Sequence, residues 1–526
     1  MDRYYKDMSQ EQEKTCRCEH CECEDRENTT KDESLWVATS NLPSYPKLSS
    51  DAKVDVAVVG AGITGLTTAY NLAKAGKKVV VLEAAKVGSG VTGYTTAHLT
   101  SVIDMRYHEL IKEYNEATAR VVAEASQAAI AFVANTSKEL GIDCDFQYIP
   151  GYLYTEDPEE VESLKEEVEA AKQVGLKVNY VATTPLPFPV EGAVEFIHQA
   201  EFHPLKYVAG LATALTKMGV AIHEDTRVED IGKGAPRQLT TSSGTVTADA
   251  VVLATHSPIT KMLSIQSKVA AYRSYVMGVK SKEPLTHALY WDTEEPYHYT
   301  RLQKTSDGEI MIIGGADHKT GQSSNAQKQY DQLKKYVTDH FKVADIHYRW
   351  SAQVFNSCDG LPFIGQAPLK KNVYVATGFS GNGMTFGTVS GLIISDLILG
   401  RANAWAKLFR ASRISVKSLF TTYLKENMNI GQQYLRSILD RGDTTPVADI
   451  PRNEGRVLNL DGKKLAVYKD GQGTLTKLSP VCTHAGCTVG WNNAEKSWDC
   501  PCHGGRYNPY GKVIVGPPVK DLAAAD

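Results

Sequence analysis

The stretch VDVAVVGAGITGLTTAYNLAKAGKKVVVLE, residues 54–83, decides the fold of the larger part of this chain. Its first seven residues, VDVAVVG, form a short, nearly continuous apolar run, as a parallel strand buried on both faces requires. GAGITGLTTAYNLAKAG follows with small residues and then a helical pattern, and KKVVVLE supplies a second strand. The result is a βαβ unit with Gly60, Gly62 and Gly65 in the G-x-G-x-x-G positions and Glu83 ending the second strand. The glycines permit a tight turn and close approach of a pyrophosphate, whose charge meets the helix N-terminus. Glu83 stands where a carboxylate accepts hydrogen bonds from adenosine ribose hydroxyls. A lone glycine triplet says little, but strand, helix and acid at the right distances together indicate a dinucleotide site. The unit alone leaves NAD, NADP and FAD open.

At 526 residues the chain is expected to hold two or more domains. A formal net charge of -4 gives no reason to expect nucleic acid or an anionic membrane as partner. No apolar run is long enough to predict a transmembrane helix, and MDRYYKDMSQEQEK lacks the apolar core of a secretory signal. A cytoplasmic location is the expectation. Of the ten cysteines, Cys16, Cys18, Cys21 and Cys23 sit together near the start, and Cys482, Cys487, Cys500 and Cys502 near the end. Such clustering suggests metal sites rather than a disulfide framework spread through a secreted fold.

The end of the chain is strand-rich, with turns at LDGKK, KDGQG and NPYGK, and reads as a small antiparallel module. It contains CTHAGC at 482–487 and CPCHGG at 500–505. A [2Fe–2S] centre with two cysteine and two histidine ligands needs one of each from two facing loops. Cys482 and His484, with Cys500 and His503, supply them. Zinc knuckles favour C-x₂-C and H-x₃₋₅-H, which fits less well. These loops are similar to those of Rieske proteins, in which the thiolates hold one iron and the imidazoles the other. The resemblance implies a disulfide between Cys487 and Cys502, as in the Rieske proteins of respiratory and photosynthetic cytochrome complexes. It makes Tyr507 the donor to a ligand sulfur and Gly516-Pro517-Pro518 the loop covering the cluster. Gly505 stands where those relatives often carry a serine, so one donor to the cluster is missing.

Residues 1–50 read as a mostly flexible acidic tail and linker, apart from Leu35-Trp36-Val37. The CRCEHCEC run with His20 offers a soft-metal site, against which stands the reading of a redox-sensitive tail. Residues 401–445 have helical apolar spacing and are expected to bridge an oxidoreductase domain at 51–400 to the terminal module at 446–526.

Several further pieces bear on the nucleotide. GSGVTGYTTAHLTS at 88–101 is a second glycine- and threonine-rich loop; TADAVVLATHSP and NVYVATGFSGNGMTFGTVSG follow, as do IMIIGGADHKTG and RWSAQVFNSCDGLPFIG. In this order they resemble the flavoprotein family of D-amino-acid oxidase, sarcosine oxidase and dimethylglycine dehydrogenase. That resemblance implies an α/β FAD-binding, Rossmann-like, two-domain fold followed by the small all-β Rieske domain. It implies FAD contacts from Thr95, Thr96, Ala254, Gly378, Gly381 and Gly383, in addition to the first loop. Arg301 falls where relatives often bind a substrate carboxylate, and His318 is read either as facing the active site or as part of a strand-end turn. The positions of covalent attachment in relatives fall on Ala352 and Thr95 here, with Cys358 and His98 displaced, so non-covalent FAD is expected. The family's chemistry is oxidation of a C–N bond in amines or amino acids. With a cluster on the same chain, a dehydrogenase feeding an external one-electron carrier is the leading expectation. A reductase running electrons the other way, and a redox sensor or carrier without turnover, are the rivals.

Overall fold

In the computed structural model the described residues are 30–259, 263–323, 325–414, 422–439 and 442–525. The run read first folds as expected. Strand Ala52–Val59 pairs in parallel with Val79–Leu82 on one side and Gly244–Leu253 on the other, so Val56, Val58 and their neighbours are covered from both faces. Val373–Thr377 and Ala221–His223 extend this sheet in parallel, and Phe363–Gln366 closes one edge antiparallel. Helix Ile63–Lys74 packs on helix Gly383–Ile398 over this sheet. Two glycines set the crossing. Gly60 has φ +105°, and a Cβ there would lie 2.5 Å from the Ala254 carbonyl oxygen. A Cβ at Gly65 would lie 1.9 Å from the Gly60 carbonyl oxygen, so helix and turn touch only because both lack side chains.

A nine-stranded, mostly antiparallel sheet stands beside the nucleotide sheet. Its order runs Val343–Ser357, Val269–Ser281, Gly308–Lys319, Tyr299–Thr305, Leu289–Trp291, Gln147–Thr155, Gly192–Glu201 and His98–Leu99, with Val178–Val181 also pairing Gly192–Glu201. Between Val269–Ser281 and Gly308–Lys319 the register shifts at Ser274, opposite Ala316 and Asp317. This bulge re-aims side chains next to the cofactor loops.

The terminal module has a three-stranded sheet, Glu454–Leu460, Lys463–Lys469 and Leu475–Leu478, and a four-stranded one built from Gly490–Asn492, Ser497–Asp499, Arg506–Tyr507 and Val513–Val515. The bridge is helical in part, with helices Ala406–Phe409 and Thr422–Leu439. The second touches both neighbours. Lys319 Nζ reaches Glu426 Oε2 at 2.7 Å, Asn427 donates to the Ser267 carbonyl, and Ile430 packs on the terminal module's core.

The reading of residues 1–50 as a flexible tail is corrected for 30–50. Lys31 bridges to Tyr348, and helix Leu35–Ala38 buries Leu35 and Trp36 completely in the main core. The polar composition hid this because the anchors are scattered: the Lys31 backbone pairs with the strand at His347 and Arg349, the Tyr45 and Leu48 amides donate to Glu224 and Thr226, and between them stands Trp36. Its indole N–H donates to the Thr95 carbonyl at 2.5 Å, and its ring lies 4.9 Å from His203 and 5.3 Å from the Arg301 guanidinium. The cysteine cluster Cys16, Cys18, His20, Cys21 and Cys23 lies outside the described residues. Among the described residues no helix is long and apolar enough to cross a membrane.

Candidate functional site

The nucleotide cleft is built around Glu83. Its two carboxylate oxygens accept the Ala61 and Ala85 amides at 2.8 and 2.9 Å, which fixes the side chain beside the glycine turn. Each oxygen keeps a further lone pair for a ribose hydroxyl. Burial raises its pKa against the pull of those amides. Helix Ile63–Lys74 starts without an N-cap side chain or an acidic residue in its first turn; the Thr92 hydroxyl accepts the Ile63 amide at 3.2 Å, and the helix's positive end favours a pyrophosphate. These features fit FAD.

Thr95 and Thr96 sit in a loop held from three sides. Trp36 grips the Thr95 carbonyl, the Trp350 indole donates to Tyr94 at 2.9 Å, and Arg301 donates to Ala97 at 2.9 Å and Thr96 at 3.4 Å. Ala254 ends its strand with its amide on the Val59 carbonyl, directly over Gly60. Gly378 follows its strand with φ +73°, the Gly381 amide donates to Asp104 Oδ2 at 2.8 Å, and Gly383 opens the second helix. The two glycine-rich loops and Ala254 therefore converge on one cleft.

Two assignments change. Arg301 is wholly buried and donates to Ala97, Thr96, the Phe202 and Leu302 carbonyls and Gln303 Oε1, with Glu201 Oε2 at 3.4 Å. With its donors committed to the protein, it shapes the Thr95–Ala97 loop and is not a substrate-carboxylate anchor. His318 faces away from the cleft. It stacks on Tyr275, with Nε2 2.9 Å from that hydroxyl and Nδ1 2.8 Å from the Lys319 carbonyl, and lines a small cavity against Trp491 and Asp499 of the terminal module. Side chains alternate along a strand, so the neighbour Asp317 takes the cleft side.

Asp317 belongs to a group that the sequence reading missed. Its Oδ1 is buried with no partner among the described residues, and the Ser274 hydroxyl near it lowers the carboxyl's pKa against the rise from burial. Ser274 Oγ is 2.5 Å from the Tyr299 hydroxyl, whose ring lies 5.5 Å from Tyr297. A Cβ at Gly381 would come within 2.6 Å of the Tyr297 hydroxyl and 2.9 Å of the Asp104 carboxyl. The only sequence signal was the GGAD bulge itself.

The cluster loops meet at the tip of the terminal module. Each is a tight turn closed by backbone hydrogen bonds, Cys482 N to Cys487 O and Cys500 N to Gly505 O, both 2.8 Å. Cys487 and Cys502 are joined by a disulfide. The sulfurs of Cys487, Cys500 and Cys502 lie within 4.8 Å of one another, but two of them are bonded and cannot serve as thiolates. Cys482 and Cys500 remain as buried free thiols. His484 and His503 present rings 5.0 Å apart at 88°. His503 Nδ1 is buried without a partner among the described residues, as an atom reserved for a metal would be. This donor set fits a Rieske cluster and poorly fits a lone zinc ion. Tyr507 donates to Cys482 Sγ at 3.3 Å. A Cβ at Gly505 would meet Pro518 Cδ at 2.7 Å, so the covering proline loop occupies the room a serine would need.

Both cluster loops press on the oxidoreductase domain. His484 Nε2 lies 3.1 Å from Gln266 Oε1, and the Gln266 amide donates to Pro258, so the imidazole keeps its proton on Nε2 and turns Nδ1 toward the cluster position. Gln353 donates to the Gly504 carbonyl at 2.8 Å, and the partly buried Glu495 bridges Arg273 at 2.5 Å to Arg506 at 2.6 Å.

Similarity agrees with this construction. The family model for FAD dependent oxidoreductases matches residues 55–397, and that for the Rieske [2Fe-2S] domain matches 442–525. YhfW of Bacillus subtilis, named as a Rieske 2Fe-2S iron–sulfur protein, is 33% identical, covering 94% of this chain and 97% of its own. Gamma-glutamylputrescine oxidoreductase of Escherichia coli is 26% identical over 71% of this chain and 91% of its own. The structure of glycine oxidase from Geobacillus kaustophilus superposes with a TM-score of 0.58 at 21% identity, covering 69% of this chain and all of its own. The chain belongs to the FAD dependent oxidoreductase family. It is, more particularly, a flavoenzyme of that family that carries a Rieske [2Fe–2S] domain behind its FAD domain.

Proposed function

We propose that the protein is a dehydrogenase that oxidises a C–N bond of an amine or amino-acid-like substrate and delivers the electrons, through its Rieske module, to an external one-electron carrier. When bound, FAD accepts the hydride from the carbon next to nitrogen and the [2Fe–2S] cluster handles electrons singly. In this reading residues 51–400 hold FAD non-covalently with Gly60, Gly62, Gly65, Glu83, Thr95, Thr96, Ala254, Gly378, Gly381 and Gly383. Residues 446–526 hold the cluster with Cys482, His484, Cys500 and His503, and 401–445 bridge the two. A cytoplasmic location is part of the same proposal. The observation that supports it best is the grip of Gln266 on His484 and of Gln353 on Gly504, which turns the histidine side of the cluster loops toward the FAD domain. The names of relatives supply the substrate class, since one acts on gamma-glutamylputrescine and one on glycine.

The test is anaerobic. The intact enzyme, mixed with amines and amino acids in turn, is expected to bleach its flavin absorbance and develop a Rieske paramagnetic signal with a true substrate. His484→Ala, lacking the cluster but keeping FAD, should still bleach yet reduce a one-electron acceptor at least about tenfold more slowly. Equal acceptor rates in the two proteins would exclude the cluster from the path.

A further inference from the structure

Two glutamines of the oxidoreductase domain, Gln266 and Gln353, reach the cluster loops, and each is only 1% exposed. They meet different groups there. Gln353 donates to the Gly504 carbonyl, a backbone group, whereas Gln266 meets a ring atom of His484 itself. The Gln266 amide has no choice of orientation. Its Nε2 donates to the Pro258 carbonyl at 2.8 Å, so its Oε1 is the atom that lies 3.1 Å from His484 Nε2. Turned over, the amide would set its oxygen against a carbonyl oxygen and its N–H groups against a ring N–H, and both bonds would be lost. The turn that carries it is also held in place. Ile265 beside it is fully buried, and the Tyr423 hydroxyl and Asn427 amide of the bridging helix both bond Ser267, one residue further on.

The consequence is electronic. An acceptor on the N–H of a metal-bound imidazole raises the basicity of that ligand, and a more basic ligand favours the oxidised, more positive centre. In open water the acceptor would be a solvent molecule free to leave; here it is a buried amide oxygen fixed from its other end. We propose that Gln266 is a positioning residue for His484, supplied by the FAD domain, and that it holds the cluster's potential down. Tyr507 acts in the opposite sense from within the terminal module, since a donor to Cys482 Sγ withdraws charge from the sulfur. The FAD domain thereby helps to set the potential of the cluster to which it is proposed to pass electrons. The inference deepens that reading and rests on Nδ1 of His484 being the metal-binding atom.

Comparing the two glutamines supplies the test, read by redox titration of the cluster's paramagnetic signal in the full-length, FAD-loaded protein. Gln266→Met keeps the length of the side chain and fills its space while removing the acceptor. Its cluster should be reduced about tenfold more readily, which is about 59 mV for one electron. Gln353→Met removes an equally buried contact that touches no ligand ring, and should leave the potential where it is. Gln266→Glu keeps an acceptor oxygen at the same reach and should hold the native potential or fall below it, a result that stands even if the methionine variant assembles no cluster. Pulsed paramagnetic resonance of the remote histidine nitrogen should change in Gln266→Met alone. Equal shifts in Gln266→Met and Gln353→Met would mean that both residues only dock the module, and would overturn the proposal. A native potential in Gln266→Met, or one above native in Gln266→Glu, would overturn it also. A potential is an equilibrium property that depends on neither substrate nor direction of flow. Failure here therefore leaves the dehydrogenase reading standing, and failure of the amine screen leaves this inference standing.

Discussion

The cluster loops and the nucleotide cleft solve the problem of holding a cofactor in opposite ways. Every candidate cluster ligand lies between Cys482 and His503, in two turns tied by a disulfide and closed by their own backbone. The cleft gathers Gly60, Glu83, the Thr95–Ala97 loop, Ala254 and Gly381 from places spread between residues 60 and 381, and no cross-link joins them. Cross-linking confines the unfolded ensemble of the loops, so that site resists distant damage. The cleft depends on remote packing, through residues such as Arg301 and Trp36 that hold the Thr95–Ala97 loop from behind.

Three outcomes would break or sharpen this contrast. The largest effect is expected from Arg506→Met, which strands Asp499 and Glu495 in a buried network. Removing one partner of such a network costs about 3–5 kcal/mol. Chemical denaturation should show the Rieske signal lost early while flavin absorbance persists; simultaneous loss of both would mean the modules are one cooperative unit. Gly65→Ala should come next. Its methyl group would overlap the Gly60 carbonyl, and overpacking of this kind costs about 1–3 kcal/mol. Released FAD with an unchanged Rieske signal is the expected result, and full flavin content would refute the placement of the pyrophosphate.

The smallest effect concerns His108. Its ring Nδ1 lies 2.9 Å from the buried Glu167, which raises the imidazole pKa and ties down the helix Tyr107–Glu113 just beyond Asp104. A raised folded-state value means the stabilisation is complete below the unfolded pKa near 6.5 and fades as pH climbs through the higher folded one. With its imidazole partly exposed to solvent screening, the pair is worth roughly 0.5 kcal/mol. Unfolding midpoints should fall slightly more between pH 6 and 8 in the native protein than in His108→Gln. Parallel pH profiles would remove this pair from the cleft's support.

The same contrast explains what could be read in advance. The cluster loops and the glycine turn are local: ligand chemistry and backbone sterics dictate residue types at fixed short spacings, so Cys482, His484, Gly60 and Glu83 stand out in the sequence. The group around Asp317 is non-local. Asp317 reaches it through a bulge whose register depends on Ser274 in another strand, and the reading chose His318, one residue along, which alternation sends to the opposite face. Arg301 was a question of depth, and no pattern of neighbours reveals that a guanidinium will be enclosed by four backbone carbonyls. Segment 30–50 looked like linker because its attachment comes from scattered contacts at Lys31, Trp36, Tyr45 and Leu48 and not from a periodic face.

That indole has a consequence for the order of assembly. Trp36 leaves the ribosome before any of the groups that receive it: Thr95 comes some sixty residues later, His203 and Arg301 later still, and the strand that pairs with Lys31 only at Tyr348. Contacts of such long sequence separation form late, after closure of the loops between them. The first described stretch of the chain is thus among the last to be seated, and for most of synthesis a large apolar ring waits without a home. A chaperone or a nascent-chain protease would meet Trp36 during that interval and find it sealed afterward.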